Sequence, residues 1–183
     1  KSNTKPNQSI NLLLDGYQLD ENSQCWLPKS DRLHFAYSDG DEFEERIAAI
    51  IKQASDITVL STELRLHCND WPSLYHLTSV RANILRPFED DIHGDILEIG
   101  AGCGAITRYL GECGGNVLAL EGSLRRAAIT RLRTRDLPNV AVAVDDFNQF
   151  QCAQKFDVIT LIGVLEYAGL FCNQNKPVLF MLQ

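Results

Sequence analysis

The stretch DILEIGAGCG at residues 95–104 is a short apolar run that opens directly into three glycines at alternate positions. An apolar run of this length predicts a buried strand, and glycine accepts the backbone angles of a tight turn that other residues avoid. Residues 105–113 follow with helical spacing. A strand, a glycine turn and a helix in this order predict a ligand-binding turn, because the first amides of a helix have no partner within it.

The same alternation continues along the chain. Apolar runs at 116–120, 140–144 and 156–162 predict three further strands, and a helix capped by Ser123 and ending at about Arg135 lies between the first two. Strands and helices that alternate at these lengths predict an α/β fold with a doubly wound parallel sheet and right-handed crossovers.

The residues before this region are organised differently. We divide the chain into an irregular segment at 1–38, a helical lead-in at 39–90 and the alternating region at 91–183. Short strands or loops are expected near 11–14, 25–28 and 33–37. In the lead-in, apolar residues at helical spacing predict one helix that begins at Asp41 and a second from about Pro72 to Leu85, which Pro87 ends.

Composition narrows the class of protein. The net charge of -7 disfavours binding to a phosphate backbone, so no nucleic-acid partner is expected. Six cysteines without metal-ligand spacing predict reduced thiols and no metal site. No apolar run reaches the roughly 18 residues of a membrane span, and the polar start does not resemble a signal peptide, so we expect a cytoplasmic protein.

A cluster of five arginines between residues 125 and 135 is interpreted as a solvated helix face. A nucleic-acid interface is the alternative, but the chain is acidic and no aromatic residue interleaves the arginines.

The glycine loop alone leaves two cofactors open. Residues 100–105 also satisfy G-x-G-x-x-A, the dinucleotide fingerprint, and Glu121 lies about 20 residues further on, where a ribose-binding acid is expected. The loop by itself therefore fits either a nicotinamide dinucleotide or S-adenosylmethionine.

The wider pattern resembles the class I S-adenosylmethionine-dependent methyltransferases. EIGAGCG at 98–104 is similar to their E/D-x-G-x-G-x-G first motif, and FDVITLIGVLEY at 156–167 resembles their F-D-x-[IV]-x-x-x-x-V-L-E-[HY] stretch. The resemblance covers roughly residues 71–170. It implies a Rossmann-like sheet and favours S-adenosyl-L-methionine as the cofactor.

The resemblance also implies which residues bind the cofactor. Glu121 would take both ribose hydroxyls, since a carboxylate accepts two hydrogen bonds, and Asp146 would accept from the adenine amino group. Tyr75 or Arg81 would meet the cofactor carboxylate. The predicted set is Glu98, Gly100, Ala101, Gly102, Gly104, Glu121, Gly122, Asp146, Phe147, Ile162, Gly163, Tyr75 and Arg81.

The lead-in at residues 71–87 looks like one found in bacterial methyltransferases associated with surface-polysaccharide glycosyltransferases. That resemblance implies methyl transfer to a glycan or other small acceptor, with a glycosyltransferase domain in the parent protein. No catalytic residue is assigned. Glu166, Tyr167 and His76 are the groups available as a general base for a hydroxyl acceptor.

Two other functions remain open at this point. One is an NAD(P)-dependent oxidoreductase or epimerase, for which no Tyr/Lys-type catalytic pair is found. The other is a noncatalytic cofactor-binding module attached to a glycosyltransferase.

Residues 178–183 are apolar and lack a closing turn, which predicts a fragment whose sheet stops after its fourth strand. The resemblance then implies the strand order 3-2-1-4, counted from residue 91. The fourth strand is expected near an exposed edge, where it would pair with another chain in a dimer or be covered by the N-terminal region. The missing strands normally supply much of the acceptor site, which puts the activity of the fragment in doubt.

Overall fold

A computed structural model of the chain describes residues 15–30, 40–171, 175–176 and 178–179. Six strands in these ranges form one sheet: β1 (Tyr17–Leu19), β2 (Trp26–Pro28), β3 (Asp95–Ile99), β4 (Asn116–Glu121), β5 (Val140–Val144) and β6 (Val158–Leu161). The strands or loops expected near 11–14 and 33–37 lie outside the described residues. The divisions at residues 38 and 90 stay predictions.

Four parallel strands form the centre of the sheet, in the spatial order β5-β4-β3-β6. Along the chain, these are the third, second, first and fourth strands after residue 91. Every residue of β5 is buried, as is all of β4 except Asn116, because parallel strands are covered on both faces. The prediction of an α/β fold with a parallel sheet is confirmed.

Helices pack against this sheet. The α-helices are α1 (Asp41–Gln53), α2 (Thr62–Arg65), α3 (Trp71–Leu77), α4 (Ala105–Glu112), α5 (Leu124–Arg133) and α6 (Ala168–Phe171). Short 3-10 helices span Ser79–Ile84, Arg86–Asp91 and Leu165–Tyr167. No helix in the described part of the chain is long and apolar enough to cross a bilayer.

An antiparallel hairpin, β1–β2, extends the sheet on the β5 side. Trp26 of β2 lies in parallel register with Ala143 of β5. The hairpin therefore covers the edge opposite to β6. The expectation that the N-terminal region would cover the fourth strand is wrong for residues 15–30.

The second helix of the lead-in is shorter than predicted. Helix α3 ends at Leu77, and the extended backbone of Thr78 (φ -81°, ψ 157°) separates it from the 3-10 helices that follow. Val80 and Ile84, whose helical spacing predicts burial, are 65% and 56% exposed. The apolar spacing over 72–85 was interpreted as one helix, but the break rotates these side chains out of the buried face.

Two of the five arginines in and after α5, Arg131 and Arg133, do not lie on a solvated face. Arg133 is 1% exposed, and Arg131 donates to the carbonyl oxygen of Val140 at 2.9 Å. The interpretation was wrong for these two because α5 packs between the sheet and α1. Arg125 and Arg135 are exposed, and Arg135 donates to the carbonyl oxygen of Ile51 at 3.0 Å.

Candidate cofactor site

A cavity of about 520 Å³ lies at the carboxyl ends of the parallel strands, between the sheet and helices α1 and α3. Ligands of open α/β sheets bind at this edge. Its lining comprises Phe43, Trp71, Pro72, Tyr75, His76, Ile99, Gly100, Leu120, Glu121, Gly122, Arg126, Asp145, Asp146, Phe147, Asn148, Gly163, Val164, Glu166 and Tyr167.

The glycine loop, residues 100–104, is held from two sides. The Gly100 N–H donates to the Leu120 carbonyl at 2.8 Å, and the Thr130 hydroxyl of α5 donates to the Gly102 carbonyl at 2.7 Å. A Cβ at Gly104, whose φ is +82°, would lie 2.9 Å from the Thr130 Cα. Glycine is required here because both the backbone angle and the close approach of α5 exclude a side chain.

Glu121 joins the loop to the end of β4. Its Oε2 accepts the N–H of Gly102 at 2.7 Å, and its Oε1 accepts the N–H of Ser123 at 3.0 Å. The side chain is buried, which raises its pKa, while the charge of Arg126 opposes the shift. Each carboxylate oxygen accepts two hydrogen bonds, so Glu121 can bind the protein and a ligand in the cavity together.

Glu98, in the middle of β3, is buried behind the loop and does not line the cavity. Its Oε2 has no hydrogen-bond partner among the described residues. Burial raises the pKa of Glu98 to about 7, the charge of Glu121 acts in the same direction, and Arg81 opposes both.

Two aspartates follow β5. Asp145 is buried, and its carboxylate accepts the N–H of Asp146 at 2.9 Å and the hydroxyl of Tyr17. Asp146 is half-buried and accepts the N–H of Asn148 at 2.9 Å. Phe147 packs on the apolar cluster of one sheet face. The pair forms an acidic corner with an apolar floor, in which Asp145 is buried and is not a solvated loop residue.

The loop after β6 meets the lead-in at Gly163. A Cβ at Gly163 would lie 3.3 Å from the Tyr75 hydroxyl and 3.6 Å from Nη2 of Arg81. The Arg81 guanidinium stacks 3.7 Å from the centre of the Tyr75 ring, a cation–π arrangement. Burial lowers the pKa of Arg81, and the carboxylates of Glu98 and Glu166 oppose this. Tyr75 and Gly163 line this end of the cavity, and Arg81 stacks on Tyr75 without lining it.

The structure brings seven of the predicted residues to the cavity wall: Tyr75, Gly100, Glu121, Gly122, Asp146, Phe147 and Gly163. The other six, Glu98, Ala101, Gly102, Gly104, Ile162 and Arg81, do not line it. The three possible bases, His76, Glu166 and Tyr167, all line it. Cofactor contacts of individual residues stay predictions.

Several lining residues were missed from the sequence, among them Phe43 of α1, Trp71 of α3, and Arg126, which was interpreted as part of a solvated face. Trp71 is 75% exposed at the cavity rim. No local pattern distinguishes these residues, because α1, α3 and α5 reach the cavity only through tertiary packing.

Residues 97–180 match a family model described as a methyltransferase domain. The matched segment, just under half of the chain, is similar to methyltransferase domains. The match supports S-adenosylmethionine, the predicted cofactor, over the nicotinamide dinucleotide that the glycine loop also fits.

The chain is also similar to two curated proteins. A probable ribosomal RNA small subunit methyltransferase A of Methanopyrus kandleri is 33% identical over 94 residues, covering 51% of this chain and 30% of that protein. A ribosomal RNA small subunit methyltransferase A of Streptococcus sanguinis is 29% identical over 101 residues, covering 55% and 31%. The chain thus spans under a third of the length of these relatives.

Among solved structures, the N-methyltransferase NodS from Bradyrhizobium japonicum, in complex with S-adenosyl-L-homocysteine, superimposes with a TM-score of 0.50. The identity is 20%, and the match covers 78% of this chain and 65% of NodS. The likeness shows a shared fold.

Proposed function

We propose that the chain binds S-adenosylmethionine in the cavity and transfers its methyl group to a small acceptor. The observation that carries this proposal is the placement of Glu121. Its buried carboxylate holds the glycine loop at Gly102 and faces the cavity from the end of β4, the position from which one acid can accept two ribose hydroxyls.

The remaining contacts assign a direction to the cofactor. The adenine ring lies at the corner formed by Asp146 and Phe147, where a carboxylate can accept from an exocyclic amino group. The cofactor carboxylate lies at the other end, where Arg81 and Tyr75 meet Gly163. Glu121 binds the ribose between these two ends.

The chemistry requires little of the protein beyond positioning. S-adenosylmethionine supplies a sulfonium-bound methyl group, which an acceptor lone pair takes in line as the carbon–sulfur bond breaks and S-adenosylhomocysteine leaves. The chain contributes a fixed ribose at Glu121 and aromatic walls at Phe43 and Tyr75 that exclude water. His76, Glu166 and Tyr167 are in the same wall to accept a proton from the acceptor.

We further propose a glycan or another small acceptor, in a parent protein that carries a glycosyltransferase domain. Trp71 supports this assignment, since it lies 75% exposed at the rim with its ring centre 6.3 Å from that of Tyr75. A flat apolar surface at the rim of a cavity that Glu166 also lines suits a sugar ring that stacks and donates hydrogen bonds. The net charge of -7 disfavours RNA as the acceptor.

A second copy of the chain is proposed to pair at β6. The strand has β3 on one side, no strand on the other among the described residues, and Ile159 is 55% exposed. An exposed edge strand with an apolar side chain is a template for pairing. Sedimentation of the wild type and of Ile159→Lys tests this, and a monomeric wild type would exclude it.

Calorimetric titration of the chain tests the cofactor. S-adenosylhomocysteine is expected to bind at a one-to-one ratio, while NAD gives no heat. Binding of NAD in preference to S-adenosylhomocysteine, or of neither, overturns the proposal.

Transfer of a labelled methyl group in the full-length parent protein tests the acceptor. We expect label in an oligosaccharide fraction and none in a small-subunit ribosomal RNA transcript. Label in the RNA alone would overturn the glycan assignment, and binding without any transfer would favour the noncatalytic module.

A further inference from the structure

Tyr17 begins β1, the outermost strand of the sheet. Although it lies on an edge strand, its side chain is only 4% exposed. Its hydroxyl reaches across β2 and donates to Oδ2 of Asp145, directly after β5. Tyr17 of the β1–β2 hairpin, which does not line the cavity, thus contacts Asp145, which does.

Asp145 connects Tyr17 to the acidic corner, because it also binds the backbone of Asp146. Its other oxygen, Oδ1, accepts the backbone N–H of Asp146 at 2.9 Å. Both oxygens of Asp145 therefore bind groups of the chain, and the carboxylate fixes the backbone of the next residue. Asp146 is left to face a ligand in the cavity.

The ring of Tyr17 supports the same corner. Its centre lies 6.2 Å from that of Phe150, and Tyr17 belongs to the apolar cluster against which Phe147 and Phe150 pack. A buried carboxylate requires hydrogen-bond donors to remain where it is. Tyr17 supplies one donor to Asp145 and an apolar support to the residues beside it.

We propose that Tyr17 is a positioning residue that, through Asp145, sets the specificity of the site for the adenine ring of its cofactor. The inference rests on the proposed function, since it assumes that Asp146 accepts from the adenine amino group. Tyr17 itself does not touch the cofactor. Its removal lets the Asp145–Asp146 backbone shift, which weakens the one contact that distinguishes adenine from other purines.

The test compares two ligands by calorimetry. S-adenosylhomocysteine carries the adenine amino group, and S-inosylhomocysteine carries an oxygen in its place. The wild type is expected to bind the adenine ligand roughly tenfold more tightly. This ratio of affinities corresponds to the free energy of one hydrogen bond to a charged group. In Tyr17→Phe this preference is expected to fall to about one, mostly through weaker binding of the adenine ligand.

Tyr109→Phe is the matched control. Tyr109 is also buried, and its hydroxyl donates to a carboxylate, Oε2 of Glu89, at 2.7 Å, but it does not line the cavity. The preference should be unchanged in this variant. Asp145→Ala is the second variant, because asparagine would keep an oxygen that accepts the Asp146 N–H. Asp145→Ala should lose the preference as well, and Tyr17→Phe should add nothing to it.

The outcomes separate the two proposals. A wild type that binds neither ligand overturns the proposed function. A wild type that binds both, with no preference or with a preference that survives in Tyr17→Phe and Asp145→Ala, overturns the role of Tyr17 alone. An equal loss of both affinities in Tyr17→Phe would show a structural role and would also overturn it.

Discussion

The Glu121 carboxylate accepts the backbone N–H of Gly102 at 2.7 Å, so the acid that ends β4 holds the glycine loop that follows β3. The proposed ribose site and the loop are therefore one unit. A substitution in either one is expected to affect the other.

Glu121→Ala should weaken binding of S-adenosylhomocysteine by about 100-fold, because two hydrogen bonds to a carboxylate are lost. Calorimetry measures this. Glu63→Ala is the control, since Oε2 of Glu63 also accepts two backbone N–H groups, those of Ser55 and Asp56, both at 2.9 Å. An equal loss of affinity in both variants would contradict a ribose contact of Glu121.

Gly100→Ala should destabilise the loop. A Cβ at Gly100 would lie 2.4 Å from Cγ2 of Val164, with φ at +78°. Gly114→Ala is the control, since φ is +92° there and no atom lies within 4 Å. Urea denaturation should show a loss of about 1 kcal/mol for Gly114→Ala and about 1–3 kcal/mol more for Gly100→Ala. Equal losses would show that Val164 moves aside.

The stability should depend on the charge of Glu98. Burial raises its pKa from 4.5 to about 7, so between these values the folded state binds a proton that the unfolded state has lost. The free energy of unfolding of the protein therefore falls as the pH rises from about 4.5 to about 7, by about 3 kcal/mol in total. Above pH 7, Glu98 causes no further change in it.

Glu98→Gln removes this dependence. Its unfolding free energy minus that of the wild type should rise over the same pH range, as measured by thermal or urea unfolding at several pH values. The same substitution at the exposed Glu42 of α1 is the control. A difference for Glu98→Gln that is flat from pH 4.5 to 8 would exclude a raised pKa.

Arg81→Ala should weaken binding of S-adenosylhomocysteine by about tenfold. Binding of 5′-methylthioadenosine should change little, because this ligand lacks the amino-acid part that Arg81 is proposed to meet. Arg65→Ala, an exposed arginine of α2, is the control. If both ligands lose the same affinity in Arg81→Ala, the guanidinium supports Tyr75 and does not select the carboxylate.

Much of the parallel sheet was predictable because its signals are local. The apolar run of β3 leads into glycines whose conformation only glycine adopts readily, and Ser123 caps α5 by accepting the Arg126 N–H at 3.4 Å. Each signal depends on residues within a few positions of one another. The family resemblance indicated Glu121, at the end of β4, and Asp146, two residues after β5, and both residues line the cavity.

The lead-in was less predictable. Helical spacing over 72–85 did not reveal the break at Thr78, because apolar residues there contact different parts of the molecule. Arginines in and after α5 were also misjudged. An arginine that donates to a distant carbonyl, such as that of Ile51, has the same sequence pattern around it as a solvated arginine.

The sequence by itself determined the order of elements, the glycine turn after β3 and the acids at the strand ends, because periodicity and turn chemistry act over a few residues. Only the tertiary structure decided which distant side chains meet them. Tyr17 and Asp145 are 128 residues apart in the chain, and no local pattern links them. Their contact exists because the hairpin adds to the sheet beside β5, where a buried carboxylate needs a donor.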